Sequence, residues 1–329
     1  MIFSEFTENQ NRVMIDTIQL YDAYVKVFDQ NRSYKGGMHW KTSKGKQYLF
    51  KTIDRKGNGK SLGPRNTDTE MIWSQFHKGK QTAKEQLRSL KTRLIEQSRF
   101  CKAAKINRVP DIITNILRIL HQNQLLGKGL IVVGTNAIYA YEVMAGIYFD
   151  HSIMATRDID LLWDVRPKLT FLSNQIASEY GLLGLLKKAD KTFEILEPKS
   201  FRAINKDGYM VDLIQAEPKS VFIKSPNTMG NENDIHAASV KNSQWLLSSP
   251  KVKQVIIGNN GYPAMMIVPD PRAFALHKIW LSTQKERDRL KKKRDFAQGV
   301  AIAKLIMNFL PQYCFKSAEL KMFPTHVSK

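Results

Sequence analysis

Two aspartates separated by one residue, Asp158 and Asp160, are the side chains of this sequence best suited to chemistry. They lie in the stretch 157–164, RDIDLLWD, whose apolar residues are typical of a buried strand. Residues two apart in a strand share a face, so the two carboxylates lie roughly 7 Å apart along the chain. Like charges at that spacing repel unless a cation lies between them, and hard divalent ions take oxygen ligands. The pair therefore predicts a metal site.

A third acid, Asp212, interrupts an apolar strand predicted over residues 209–214. An acid among apolar strand residues is costly to bury without a partner. If this strand lies beside the strand of Asp158 and Asp160, Asp212 completes a group of three carboxylates.

A turn from strand to helix precedes these acids. The apolar run 130–133 predicts a buried strand, Gly134 and Thr135 end it, and a helix is predicted from Asn136 to residue 144. A helix start directs free N–H groups and the positive end of its dipole outward. This turn therefore suits a phosphate group.

One lysine, Lys278, lies on an otherwise apolar helix predicted to begin at Pro269-Asp270-Pro271 and to end near Thr283. A lysine in this setting either extends its stem towards solvent or reaches an anion in a cleft.

The composition predicts a folded protein with a polyanionic partner. The 329 residues are 43% hydrophobic and carry a net charge of +21, which suits RNA, DNA or nucleotides, although lysines can also serve solubility alone. Two cysteines are too few for a disulfide framework, and neither a signal sequence nor a membrane-spanning segment is predicted. We therefore expect a cytoplasmic protein of two or three subdomains without a membrane partner.

The segment 31–65 is the most basic part of the chain. It holds ten Lys or Arg and one acid, a net charge of +9, interleaved with Tyr34, Trp40, Tyr48 and Phe50. Such a segment either contacts phosphates and bases or forms a solvated hairpin whose aromatic rings pack inward. Its motif KSLGPR is predicted as a loop that places Lys60 and Arg65 near phosphate.

A helix is predicted from the capping box Thr67-Asp68-Thr69-Glu70 to about residue 105. It carries a basic stripe, which is either a solvated face or a nucleic-acid track and consists of Lys80, Lys84, Arg88 and Lys91.

Periodicity predicts the other elements. The predicted helices cover residues 11–30, 110–123, 167–180 (ended by Gly181) and 295–310, and the predicted strands cover 40–42, 47–53, 192–196, 201–205, 252–257 and 264–268. The charge run 285–294 is interpreted as a solvated helix junction.

The ordered motifs resemble the DNA-polymerase-β-type nucleotidyltransferase superfamily. That pattern is an apolar residue, Gly, then Gly or Ser, followed by Asp-x-Asp and a later Asp, and here Thr135 keeps the hydroxyl of the usual Ser. A closer likeness is to a bacterial group of that superfamily, carried by KSLGPR, VGTNAIYAYE, RDIDLLWD, VDLI and PDPRAFALHK.

The resemblance implies a role for each residue. Asp158, Asp160 and Asp212 would hold one or two Mg²⁺ or Mn²⁺ ions, and Asp212 would also help to activate the attacking hydroxyl. Residues Gly134, Thr135 and Asn136 would hold the β and γ phosphates of an NTP substrate, while Lys278 would neutralise the triphosphate.

The resemblance further implies an α/β (α+β) fold with a mixed-sheet nucleotidyltransferase core over residues 127–217, a basic and mostly helical region 1–126, and a helical region 218–329 that closes the cleft. The expected reaction moves an NMP from an NTP to an acceptor hydroxyl. The charge favours RNA, tRNA in particular, as the acceptor, with Lys60, Arg65, Lys84, Arg88 and Lys91 as binding residues. A protein acceptor, as in toxin-like members, and a non-catalytic binding protein on a degenerate fold are the alternatives.

Overall fold

The computed structural model describes residues 3–54, 57–154, 156–166, 181–218, 226–316, 319–324 and 327. The helix predicted over 167–180 lies outside these residues. The chain divides into two compact units, Arg12–Ala104 on the one hand and Met1–Asn11 with Lys105–Lys329 on the other. The three regions predicted from the sequence, with boundaries near residues 126 and 217, stay a proposal.

The elements up to residue 149 are β1 (Phe3–Glu5), α1 (Glu8–Ser33), β2 (Met38–Ser43), β3 (Lys46–Thr52), β4 (Gly59–Pro64), α2 (Thr67–Ala103), α3 (Asp111–Gln122), β5 (Leu130–Val133), a 3-10 turn (Thr135–Ala137), α4 (Ile138–Ala145) and β6 (Ile147–Phe149). Those that follow are α5 (His151–Met154), β7 (Asp158–Trp163), α6 (Gly181–Ala189), β8 (Glu194–Ile195), β9 (Arg202–Ile204), β10 (Met210–Ala216), β11 (Ala238–Val240), α7 (Gln244–Ser248), β12 (Lys251–Ile257), β13 (Pro263–Pro269), α8 (Pro271–Thr283), α9 (Arg289–Phe309) and a second 3-10 turn (Pro311–Tyr313).

The unit Arg12–Ala104 holds the antiparallel sheet β2–β3–β4 and two long helices. One face of the sheet packs on α2 through a small core of Met38, Leu49 and Phe76. Helix α2 begins at the predicted residue, but its capping box is formed by Asn66 and Thr69, one position earlier than Thr67 and Glu70. The reason is that the Asn66 side chain accepts the Thr69 N–H while the Thr69 hydroxyl accepts the Asn66 N–H.

The prediction of a loop at KSLGPR is wrong. Residues Gly59–Pro64 form β4, which pairs with β3 and completes the sheet. Two glycines in six residues hid the strand, because glycine weakens the strand signal in a sequence. One of them, Gly59, is required here: a Cβ at this position would lie 2.1 Å from the Lys51 carbonyl oxygen.

The larger unit is built on a six-stranded mixed sheet, which confirms the predicted α/β class. Its strand order is β5–β7–β10–β9–β8, with β11 parallel to β10. The central pair β7 and β10 is parallel, whereas β5 and β9 run antiparallel to their neighbours. Because parallel strands are normally covered on both faces, β10 is mostly apolar, with Asp212 and Gln215 as its exceptions.

The C-terminal part of this unit contains the hairpin β12–β13 and the packed helices α8 and α9. Helix α9 begins at Arg289, six residues before the predicted start, so the junction predicted over 285–294 is confined to residues 284–288 and the rest of the charge run is helical. Asp288 explains the early start, because its carboxylate accepts the N–H groups of Leu290 and Lys291. Within the described residues, no helix is both long enough and apolar enough to cross a membrane.

Candidate active site

Strand register brings the three predicted aspartates together. Asp160 on β7 lies opposite Val133 of β5 on one side and opposite Asp212 of β10 on the other. Asp158 precedes Asp160 by two residues and therefore lies on the same face of the sheet. The condition set by the sequence, that the strand of Asp212 adjoins the strand of the other two, is thus met. All three side chains line one cleft of about 310 Å³.

The turn after β5 requires glycine for two reasons. Gly134 has a φ of +65°, which disfavours L side chains. A Cβ at this position would also lie 2.0 Å from Oδ2 of Asp160. The turn therefore lies directly against the carboxylate, and the chain beyond it enters the 3-10 turn and α4.

Thr135 and Asn136 use their side chains to hold this turn in place. The Thr135 hydroxyl accepts a hydrogen bond of 3.0 Å from Nε2 of Gln298, which also donates to the Ile153 carbonyl. The Asn136 amide donates to the backbone carbonyl of Asp158. The backbone N–H groups of the turn are therefore the donors suited to the predicted phosphate contact.

Charge crowding is strongest at Asp160. Burial and the neighbouring Asp158 raise the pKa of Asp160 to about 6, and Asp212 adds to this, whereas Lys278 and Arg287 oppose it. The crowding shows that ionised Asp160 gains from a cation. The donor set is two carboxylates from Asp158 and Asp160, and Mg²⁺ is commonly held by one or two carboxylates together with substrate phosphates.

Arg202, which the sequence analysis missed, occupies both oxygens of Asp212. It lies opposite Asp212 in the β9–β10 ladder and donates from Nε and Nη2 at 2.7 and 2.6 Å. This bidentate pair accounts for a carboxylate that is only 5% exposed. Among the described residues, no group of three or more His, Cys, Asp or Glu side chains is placed to hold a metal ion. The fit to a divalent ion therefore rests on Asp158 and Asp160.

Five cationic side chains among the described residues line the same cleft as the aspartates. One is Arg202 of β9. The others come from α8, from the start of α9 and from the segment between these helices, and they are Lys278, Arg287, Lys291 and Arg294. Of these four, Lys278 alone was predicted from the sequence, because the other three lie in the charge run that was interpreted as solvated.

Asp295 fixes the positions of two of these cations, Lys278 and Arg287. It is fully buried, and its two oxygens accept bonds of 2.8 Å from Lys278 Nζ and from Arg287 Nε. Burial lowers the pKa of Lys278, and the ion pair with Asp295 opposes this shift. Arg294 contributes a guanidinium whose buried Nε has no hydrogen-bond partner among the described residues.

His277, in the same motif as Lys278, is a neutral part of the wall. Burial is the main reason that its pKa is lowered to about 3. Its ring packs edge-on to Trp245 and tilted against Trp280. Near neutral pH it therefore adds an aromatic surface to the cleft and no positive charge.

The predicted acceptor-binding residues lie in the other unit, Arg12–Ala104. Lys60 on β4 is exposed, as are the α2 residues Lys84, Arg88 and Lys91. Arg65 is engaged: it pairs with Glu70 at 2.8 Å and donates to the Gln47 side chain at 2.7 Å. Lys80, the first residue of the predicted stripe, donates to the Gly36 carbonyl. Their role in binding an acceptor stays a prediction.

Comparison with known proteins supports one family. A family model described as nucleotidyltransferase matches residues 112–323, more than half of the chain. A crystal structure of an antigenic nucleotidyltransferase-like protein from Paracoccidioides brasiliensis is similar at 14% identity over 65% of this chain and 95% of that one, with a TM-score of 0.29. No curated protein matches the chain.

Replacing Gly134 tests how closely the turn approaches Asp160. Gly134→Ala should destabilise the protein more than Gly208→Ala, which has a similar φ of +75° but no atom within 4 Å of the added Cβ. The control should lose about 1–2 kcal/mol from the left-handed backbone alone. Adding Asp160→Ala should recover the excess loss at Gly134 and leave Gly208→Ala unchanged. Equal melting temperatures of the two single variants would contradict the close approach.

The raised pKa of Asp160 predicts a pH-dependent stability. An acid with a raised pKa stabilises the fold most below its unfolded value of 3.8, and this contribution is lost as the pH rises through about 6. In EDTA, Asp160→Asn should therefore raise the melting temperature more at pH 7.5 than at pH 5.0. Each kcal/mol gained in the free energy of unfolding corresponds to a rise of roughly 2–4 °C. Asp207→Asn, at an exposed turn residue, is the control. A pH-independent difference would show that the pKa of Asp160 is not raised in the folded protein.

Proposed function

Because the chain belongs to the nucleotidyltransferase family over residues 112–323, we propose that it transfers a nucleoside monophosphate from an NTP to an acceptor hydroxyl and releases pyrophosphate. The observation that carries the proposal is the composition of one cleft, in which three carboxylates and five cations among the described residues line a volume of about 310 Å³. In-line phosphoryl chemistry needs both: cations for the triphosphate and carboxylates for a divalent ion.

The carboxylates supply the metal-binding side of the proposal. Asp158 and Asp160 would hold Mg²⁺ or Mn²⁺. When bound, the ion would supply charge neutralisation at the α-phosphorus and a lower pKa of the acceptor hydroxyl. Asp212 is oriented by Arg202, and a carboxylate has about four lone-pair sites, of which a bidentate arginine uses two. Asp212 therefore keeps acceptor capacity for the hydroxyl proton or for a second ligand.

The cations supply the nucleotide-binding side. Lys278 and Arg287 reach the cleft from a buried carboxylate, so their positions are fixed before the substrate binds. Preorganised charges of this kind act without reorganisation cost in the reaction. The Gly134 turn would then hold the terminal phosphates through its backbone N–H groups.

RNA, tRNA in particular, is the acceptor that we favour, because the net charge of +21 suits a polyanion. A hydroxyl of a protein side chain is the other acceptor considered. A non-catalytic binding protein on a degenerate fold is the alternative of a different class, and the engagement of Asp212 by Arg202 is the observation in its favour. Incubation with each radiolabelled NTP, Mg²⁺ and total cellular RNA or protein separates the three: labelled RNA, labelled protein or no label.

Removing one metal-binding carboxylate should abolish transfer. Asp158→Ala and Asp160→Ala are each expected to reduce label incorporation at least 100-fold, since the other carboxylate alone binds the ion weakly. Their melting temperatures should hold or rise, because the change relieves repulsion. The matched control is Asp207→Ala on the exposed turn. Near-native transfer by either cleft variant in Mg²⁺ would refute the metal assignment.

Lys278→Met should weaken NTP binding at least tenfold, because Met keeps the apolar stem and removes the charge. Equilibrium binding of a non-hydrolysable NTP measures this, with the exposed Lys304→Met of α9 as the control. The change leaves the buried Asp295 with Arg287 as its ion-pair partner among the described residues. The double variant Lys278→Met/Asp295→Asn should therefore regain stability without regaining NTP affinity. Recovery of NTP affinity together with stability in the double variant would show that Lys278 has a purely structural role.

A further inference from the structure

One face of the three-stranded sheet of the unit Arg12–Ala104 is covered by α2, and the residues of its other face are exposed or half-buried. On the covered face, Tyr34 and Trp40 pack against the small core of Met38, Leu49 and Phe76. The sequence left open whether the aromatic residues of this segment pack inward or face a ligand. For these two rings the inward alternative is correct.

The other two aromatic residues lie on the opposite face. In the β2–β3 ladder His39 pairs with Phe50 and Lys41 pairs with Tyr48, so these four residues share the side away from Met38 and Leu49. Strand alternation adds Lys46, two residues before Tyr48, to the same side. We call His39, Lys41, Lys46, Tyr48 and Phe50 the outer sheet face.

Contacts within the outer sheet face fix the Phe50 ring and place a cation on it. A Cβ at Gly59 would lie 2.7 Å from Cε1 of Phe50, so the ring lies directly against the backbone of β4. The Lys41 ammonium lies 3.6 Å from the ring centroid, and the His39 ring lies 5.7 Å away. Lys41 and Lys46 are exposed, while Tyr48 and Phe50 are half-buried. Two rings and two lysines are thus held side by side at the surface.

We propose that the outer sheet face binds single-stranded nucleic acid, with bases stacked on Tyr48 and Phe50 and phosphates paired with Lys41 and Lys46. Stacking on aromatic side chains combined with a basic surface is the general way to bind single strands, since every base has a π face. The net charge of +9 over residues 31–65 supplies the electrostatic complement.

The same chemistry argues against a duplex as the ligand, because paired bases are already stacked on each other and expose their edges in the grooves, not their π faces. It also argues against an acidic protein segment, which would use the lysines and leave the rings unused. The inference deepens the proposed function by naming a class of acceptor, but binding itself requires no transfer.

The decisive experiment is fluorescence anisotropy of the full-length chain with a labelled 12-nucleotide oligouridylate, without NTP or Mg²⁺, over a range of salt concentrations. Tyr48→Leu/Phe50→Leu should weaken binding about 10- to 100-fold and leave the slope of log K against log salt unchanged. Tyr48→Phe keeps the stacking ring and should bind as the unmodified chain does. The matched control is Phe100→Leu, at an exposed phenylalanine of α2.

Charge variants separate stacking from electrostatics. Lys41→Gln/Lys46→Gln should flatten the salt slope by about 1.4, and Lys84→Gln/Arg88→Gln/Lys91→Gln should flatten it by roughly two to three, since each phosphate contact contributes about 0.7 to 0.9. Neither set should alter the preference for the single strand over a duplex of the same length. Only the double leucine variant should reduce that preference.

Unchanged affinity of the double leucine variant, with an unchanged circular dichroism spectrum, would overturn the proposal. Loss of binding confined to the α2 triple variant would overturn it as well, because the contact would then lie on the helix. Failure of nucleotide transfer with intact oligonucleotide binding would instead refute the proposed function and leave this inference standing.

Discussion

Repulsion among carboxylates is the constraint on which the larger unit depends. Asp158, Asp160 and Asp212 converge on one face of adjacent strands, and burial together with repulsion from the other two carboxylates raises the pKa of Asp160. The surrounding structure compensates with cations held at fixed positions. Arg202 neutralises Asp212 from the next strand, and Lys278 approaches from α8. The buried Asp295 is important for the cleft because its ion pairs fix the positions of Lys278 and Arg287.

The same crowding explains why the turn after β5 admits only glycine. A side chain at Gly134 would occupy space used by the Asp160 carboxylate, because the turn packs directly against that carboxylate. The side chain of Asn136 then fixes the distance between the turn and β7 by bonding the Asp158 carbonyl. The proposed phosphate donors and the proposed metal-binding carboxylates are thus linked by this hydrogen bond and by the close approach of Gly134 to Asp160, which limits their relative motion.

How much could be predicted from the sequence depended on whether the signal was local. The period of apolar residues predicted β5, β7, β10 and the β12–β13 hairpin to within one or two residues, and a lone acid in an apolar strand was enough to select Asp212. Arg202 could not be predicted, because its pairing depends on the register of β9 against β10. Arg287 and Arg294 were missed for a related reason: a charge run resembles solvated helix unless a buried acid such as Asp295 is known to lie beneath it.

Net charge is therefore a weak guide to ligand binding until each cation's partner is known. Arg65 and Arg202 both count towards the +21, yet each is bonded to a carboxylate and contributes mainly to the position of that carboxylate. The charges that remain for a polyanion are exposed ones, such as Lys41 on the outer sheet face and Lys84 on α2. Exposed lysines alone attract any polyanion, because their attraction is long-ranged and independent of sequence. Discrimination between polyanions must then come from groups that contact the bases, and the half-buried rings of Tyr48 and Phe50 beside those lysines are the groups that we propose for this role.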